Sequence, residues 1–202
     1  MTRFSAGLAA LVGAIALLAA LTATTAAAEP DPSAEAFVNR VGGQAIAILN
    51  DGSASAAEQD ERLRALLRDN VALSAIGRFA LGRHWRAATE AQRRAYLDAF
   101  EGYVLGSYVP LLRGRSAARF SVLRSDARSA RDSVVQTRLQ DKSGQIYDWR
   151  WRVLQTPERY AVVDLSLEGI SLAVGYRSDF QSFLSRRSLD QLVVMLKERS
   201  TR

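Results

Sequence analysis

The sequence predicts an α+β domain: helices packed on one face of a curved, antiparallel, four-stranded sheet. Three observations carry this. Apolar residues recur at helical spacing from residue 33 to about residue 110. From about 120 to 165 the pattern changes to short runs, one of them strictly alternating, divided by tight turns. Helical spacing then returns to the C-terminus. Helices set apart from a run of closely connected strands give α+β, and short connections give antiparallel neighbours.

The first helix begins near Ser33 and carries Phe37, Val41, Ala45 and Ile48 on one stripe. Asp51 to Ala57 is a polar loop. Ser55 with Glu58 forms a capping box before Leu63, Leu66 and Leu67. A third helical stretch covers Val71 to Leu81. Gly82 is expected to end it, with Arg83-His84-Trp85 in a loop, although a hinge built on Gly77 and Gly82 fits the same residues. Thr89 with Gln92 caps a long helix through Tyr96, Phe100, Tyr103 and Ser107. Pro110 is expected to stop it, since the residue before a proline disfavours helical geometry.

Phe120-Ser121-Val122-Leu123 and Ser133 to Leu139 read as strands, with a turn at Asp141-Lys142-Ser143-Gly144. Ile146 to Leu154 alternates, placing Trp149, Trp151 and Val153 on one face and Arg150 and Arg152 on the other. That is the period of a half-buried strand. Pro157 marks the next turn and Tyr160 to Leu165 the fourth strand, with Val163 and Leu165 on one face against Val162 and Asp164. Ser178 with Gln181 is expected to cap a short helix bearing Phe180, Phe183 and Leu184. Ser188 with Gln191 caps the last, bearing Leu189, Leu192, Val193 and Leu196.

The N-terminus reads as an export leader. Met1-Thr2-Arg3 is a basic start, Leu8 to Leu21 an apolar run too short for a span, and Ala26-Ala27-Ala28 a small-residue cleavage site before Glu29-Pro30. Residues 29–202 are then one domain, large enough to bury about 70% of its chain surface. The chain has no cysteine and one histidine. No zinc cluster, thiol nucleophile or multi-histidine metal site can be built from that set. The formal charge is +6, nearly all of it from arginine; lysine occurs only at Lys142 and Lys197. Such a surface suits anionic lipid or an acidic partner. Nucleic acid is not expected, because the chain reads as exported and its arginines are scattered among acids.

Catalytic signals are sparse. There is no Gly-x-Ser-x-Gly, no phosphate loop and no His-Glu-x-x-His. His84 beside Trp85 suits a surface position better than a general base. Asp164 and Glu168 admit two readings, an acid/base pair flanking a cleft or hydrogen-bonding groups of a turn and cap around Gly169; the second is the commoner use of such residues. The candidate binding residues are Phe79, Trp85, Tyr96, Phe100, Tyr103, Val104, Tyr108, Trp149, Trp151, Val153, Val163, Leu165, Ile170 and Leu172. The same residues serve equally as solid core.

Two phrases carry a family resemblance. The first is Phe79-x-Leu81-Gly82-Arg83-x-Trp85, followed by Thr89-x-x-Gln92-Arg93 and then Phe100 and Tyr108. The second is Val162-Val163-Asp164, Glu168-Gly169-Ile170-Ser171-Leu172 and Arg177-Ser178-Asp179-Phe180. In this order, from about Phe37 to the last helix, they resemble the MlaC, or toluene-tolerance, family of periplasmic phospholipid-binding proteins. A hopanoid-associated branch is similar around Arg177 to Phe180. The resemblance implies a soluble, monomeric, non-catalytic carrier in the periplasm of a Gram-negative bacterium, with an apolar cavity between helices and sheet. Phospholipid is its cargo and no cofactor is implied. Its partners would be an inner-membrane ABC transporter with an MCE-domain protein and an outer-membrane lipoprotein complex.

Overall fold

The computed structural model describes residues 29–113 and 117–200; the proposed leader, residues 1–28, lies outside them. Seven helices are described, α1 (Pro32–Leu49), α2 (Ala56–Asn70), α3 (Leu73–Leu81), α4 (Arg83–Ala87), α5 (Glu90–Arg113), α6 (Leu172–Leu184) and α7 (Leu189–Ser200). The strands are β1 (Ala117–Ser129), β2 (Asp132–Asp141), β3 (Ile146–Gln155), β4 (Tyr160–Leu167) and β5 (Ile170–Ser171). They form one antiparallel meander in the order β1-β2-β3-β4-β5. The fold is α+β, and the sheet gains a two-residue fifth strand on the four expected.

Local chemistry sets the helix starts. Ser55 and Glu58 form the reciprocal capping box of α2. Thr89 with Gln92 and Ser188 with Gln191 do the same for α5 and α7. α6 differs: it starts at Leu172, capped by Ser171, whose Oγ accepts from the Val174 amide at 3.1 Å. Ser178 lies inside that helix, and Gln181 reaches across to the Leu81 carbonyl instead.

α5 runs three residues past Pro110. The proline removes one amide donor, but the last turn has other partners: Arg113 pairs with Asp60 at 3.3 Å, and Leu112 and the part-exposed Leu111 line the same space as Trp149 and Trp151 of the sheet. Arg83–Ala87 is a one-turn helix rather than a loop. Gly82 joins it to α3 at φ 57, a left-handed value that favours glycine, and a Cβ there would stand 2.7 Å from Gln181 Nε2. β1 is also longer than its apolar run, because register shifts along it break the alternation.

Asp31 both starts α1 and pins it to the sheet. Its carboxylate accepts from the Ala34 amide (3.0 Å) and the Ser133 hydroxyl (2.6 Å), and its amide donates to Ser125 Oγ (2.7 Å). Partial burial opposes its charge, yet the Ser133 hydroxyl and the Ala34 and Ser33 amides hold the carboxyl below the ordinary 3.8. A depressed value means stabilisation that is present above 3.8 and lost as pH falls through the folded-state value. Asp31→Ala is therefore expected to cost about 1–2 kcal/mol at neutral pH, the usual worth of an N-cap. Denaturant unfolding of both proteins should converge in acid, and a gap unchanged there would contradict the charged-cap account.

Two solid cores result. One joins α3, α5, α6 and α7 around Tyr96, Phe100, Phe180 and Leu192. The other clamps Phe37, Val38 and Val41 of α1 onto Val135, Trp151, Val153 and Val162 of the sheet.

Candidate functional site: an apolar cavity between the two cores

The two cores do not merge. Between them lies an open cavity of about 360 Å³. Its floor is Trp149 and Trp151 of β3 with Val162 and Leu165 of β4. Val71, Leu73 and Ile76 at the α2–α3 junction form one wall, and Val104, Tyr108, Leu111 and Leu112 of α5 another. Leu172, Ala173 and Tyr176 of α6 close the third side. Tyr147, Leu167 and Glu168 lie toward the end of the sheet where β3 starts and β4 finishes.

Few polar groups face this space. Asp148 is gripped by the Arg138 guanidinium through two hydrogen bonds (2.7 and 2.9 Å), which hold its carboxyl below the usual range. Asp164 accepts from Ser171 Oγ (2.6 Å) and the Ala173 amide (3.0 Å), so both its oxygens serve the start of α6. Glu168 and Gly169 have φ of 51 and 84 and join β4 to β5. Two left-handed residues in succession are the type I′ hairpin turn, and a glutamate there is strained. The Tyr176 hydroxyl is buried without a hydrogen bond of normal geometry, and burial pushes that phenol and Tyr108 upward in pKa. Among the described residues no three His, Cys, Asp or Glu side chains cluster to hold a metal. No described helix is long and apolar enough to cross a membrane.

Of the residues singled out in the sequence, Val104, Tyr108, Trp149, Trp151, Leu165 and Leu172 line the cavity. The rest lie elsewhere. Tyr96 and Phe100 are fully buried in the helical core, where the Tyr96 hydroxyl donates to the Gly77 carbonyl at 2.9 Å. Tyr103 packs on the same core, edge-on to Tyr176. Trp85 sits between the Arg78 and Arg93 guanidiniums, and Phe79 is 43% exposed beneath Arg177. Val153 is buried under α1, and Ile170 is 70% exposed beyond the hairpin turn.

Val163 is displaced for a specific reason. Arg152 pairs with Asp164, but the next residue, Val153, pairs with Val162, so Val163 is an extra residue in a bulge. The bulge resets the alternation, and Val162 rather than Val163 joins Leu165 on the cavity face. The aliphatic residues of the α2–α3 junction and the end of α5 were missed. Val71, Leu73 and Ile76 were visible only as a helical stripe, which does not distinguish a wall from a core.

The family model described as MlaC protein matches residues 39–198. A solved structure, the phospholipid-binding protein from Ralstonia solanacearum in complex with a phospholipid, superimposes with a TM-score of 0.71 at 22% identity. The match covers 84% of this chain and 97% of that one, so the two share a fold. With the family model spanning both phrases, most helices and the whole cavity, this chain belongs to the MlaC family.

Proposed function

We propose that this chain is a periplasmic phospholipid carrier. In this reading the leader is removed after Ala28. Acyl tails enter the cavity and the head group stays outside. The lipid passes between an inner-membrane ABC transporter with an MCE-domain protein and an outer-membrane lipoprotein complex. The cavity carries the reading: an open, apolar space flanked by two solid cores in a chain of the MlaC family. The phospholipid held by the Ralstonia protein of the same fold supports the ligand class.

Physical chemistry explains why such a carrier needs little else. A diacyl lipid has on the order of 30 tail methylenes, each costing about 0.8 kcal/mol in water. Free diffusion is negligible, whereas transfer from bilayer to an apolar-lined protein cavity exchanges one largely apolar surrounding for another. An acid/base enzyme built on Asp164 and Glu168 gains no support of this kind, since Asp164 is occupied by Ser171 and Ala173.

Native mass spectrometry of the protein exported from its own host tests the reading in one measurement. The expected result is a chain beginning at or near Glu29, carrying near-stoichiometric phospholipid with the head-group mixture of the membrane. Lipid-free protein, a hopanoid as the bound species or a full-length membrane-embedded product would each overturn it.

A further inference from the structure

Four exposed arginines gather where α3, α4 and α6 meet: Arg78, Arg83, Arg86 and Arg177. Arg177 donates to the Phe79 carbonyl at 3.2 Å, and its guanidinium lies 4.9 Å from the centre of the Phe79 ring. It also borders Gly82, where a Cβ would stand 3.4 Å from the guanidinium carbon. Arg78 lies over Trp85 at 5.2 Å, with Arg93 on the same ring at 5.3 Å. Arg83 and Arg86 are three residues apart on α4, a spacing that puts two helical side chains on one face.

Rings and carbonyls orient this corner without cancelling its charge. Among the described residues the four arginines pair with no carboxylate, and the ion pair found there is Arg93–Glu90 at 3.7 Å. On the sheet the opposite holds, since Arg138 and Arg152 are each gripped by an aspartate. In the midst of this positive charge Phe79 is exposed and Trp85 half-buried. Charge alone would suit an acidic protein. The exposed ring adds a second demand, for a layer that is anionic at its surface and apolar just beneath, which is where aromatic rings collect in membranes. Guanidinium forks match the phosphate oxygens of that layer.

We infer that this corner is a docking surface for an anionic bilayer, contacted directly and without a protein receptor. The arginines meet lipid phosphates, and the Phe79 ring enters the head-group layer between them. The same helices wall the cavity: Ile76 and Tyr176 line it, while Phe79 and Arg177, within one turn of them, are exposed. Docking there holds the cavity close to the leaflet.

Co-sedimentation of the mature chain with vesicles tests this, using phosphatidylcholine alone and phosphatidylcholine mixed with phosphatidylglycerol. The expected result is binding to the mixed vesicles that falls steeply as salt is raised, and little binding to phosphatidylcholine alone. Each arginine near an anionic leaflet is worth about a factor of five, so Arg83→Gln with Arg86→Gln should weaken binding about 25-fold. Arg128→Gln with Arg150→Gln removes the same charge from two exposed positions of the sheet and should leave binding near the wild-type value. Phe79→Ala keeps every charge; it should weaken binding about threefold or more with the salt dependence unchanged. Thermal unfolding checks that each variant is folded. Equal binding to the two vesicle types, an unaffected Arg83/Arg86 or Phe79 variant, or an equal loss in the sheet variant would each overturn the inference. So would binding to an acidic peptide with none to vesicles, which would make the corner a protein interface. Vesicle binding by a chain that carries no lipid would support the docking surface while refuting the carrier reading.

Discussion

Phe100→Ala is expected to lower stability by about 3–5 kcal/mol, the usual cost of emptying a fully enclosed aromatic site. Phe100 has no exposed surface and stacks on Tyr96 with ring centroids 5.9 Å apart. The Tyr176 and Phe180 rings meet it edge-on, at 5.4 and 6.1 Å. Gly77 packs so near that a Cβ there would stand 2.9 Å from the ring. Rings held on several sides by other elements cannot collapse into the vacated volume. At about 2–4 °C per kcal/mol for a chain of this size, Tm should fall by roughly 6–20 °C. Phe79→Ala supplies the contrast: Phe79 is 43% exposed, and its loss should cost under about 1 kcal/mol. Thermal unfolding of lipid-stripped protein measures both. Equal losses at the two positions would show that Phe100 is not held as described.

These two phenylalanines also show what the sequence can and cannot carry. Both were read as candidate cavity residues from apolar spacing, yet one is solid core and the other is a surface ring under Arg177. Periodicity reports that a face is turned away from water. Whether the space opposite is filled depends on how two cores approach each other, and no local pattern encodes that distance. The strand β3 was legible, since Trp149, Trp151 and Val153 do share one face. β4 was legible as a strand but its faces were not, because the bulge at Val163 has no apolar signature and reverses the pattern for every residue on one side of it.

Helix ends divide the same way. Ser55, Thr89 and Ser188 were correctly read as caps because cap and partner lie three residues apart and satisfy each other. Ser178 and Gln181 share that spacing by composition alone. The true start of α6 is fixed by Asp164 of the neighbouring strand, which accepts from Ser171 and from the Ala173 amide. Pro110 was read as a stop by a local rule, and long-range contacts of Leu111, Leu112 and Arg113 override it. In each case the misreading came where a distant residue outweighed a local preference.

Val104→Glu should separate cavity from core and abolish lipid binding while leaving the fold intact. Val104 is half-buried on α5 and faces the cavity above the β3 tryptophans. In a solid core an unpaired carboxylate costs several kcal/mol and commonly unfolds the domain. In a cavity open to solvent, water can follow the carboxylate, and the empty protein bears little of that cost. The cost falls on the bound state, because acyl methylenes would have to displace that water. A penalty of about 3 kcal/mol is two powers of ten in affinity, since each 1.4 kcal/mol is tenfold. The variant should therefore be purified folded, with bound phospholipid reduced at least a hundredfold. Its Tm should lie within a few degrees of lipid-stripped wild type, which is the proper reference because ligand loss alone lowers apparent stability. A variant that melts far below that reference would make the α5 wall solid core. One that keeps its lipid would move the acyl chains away from Val104 and with them the whole carrier reading of this cavity.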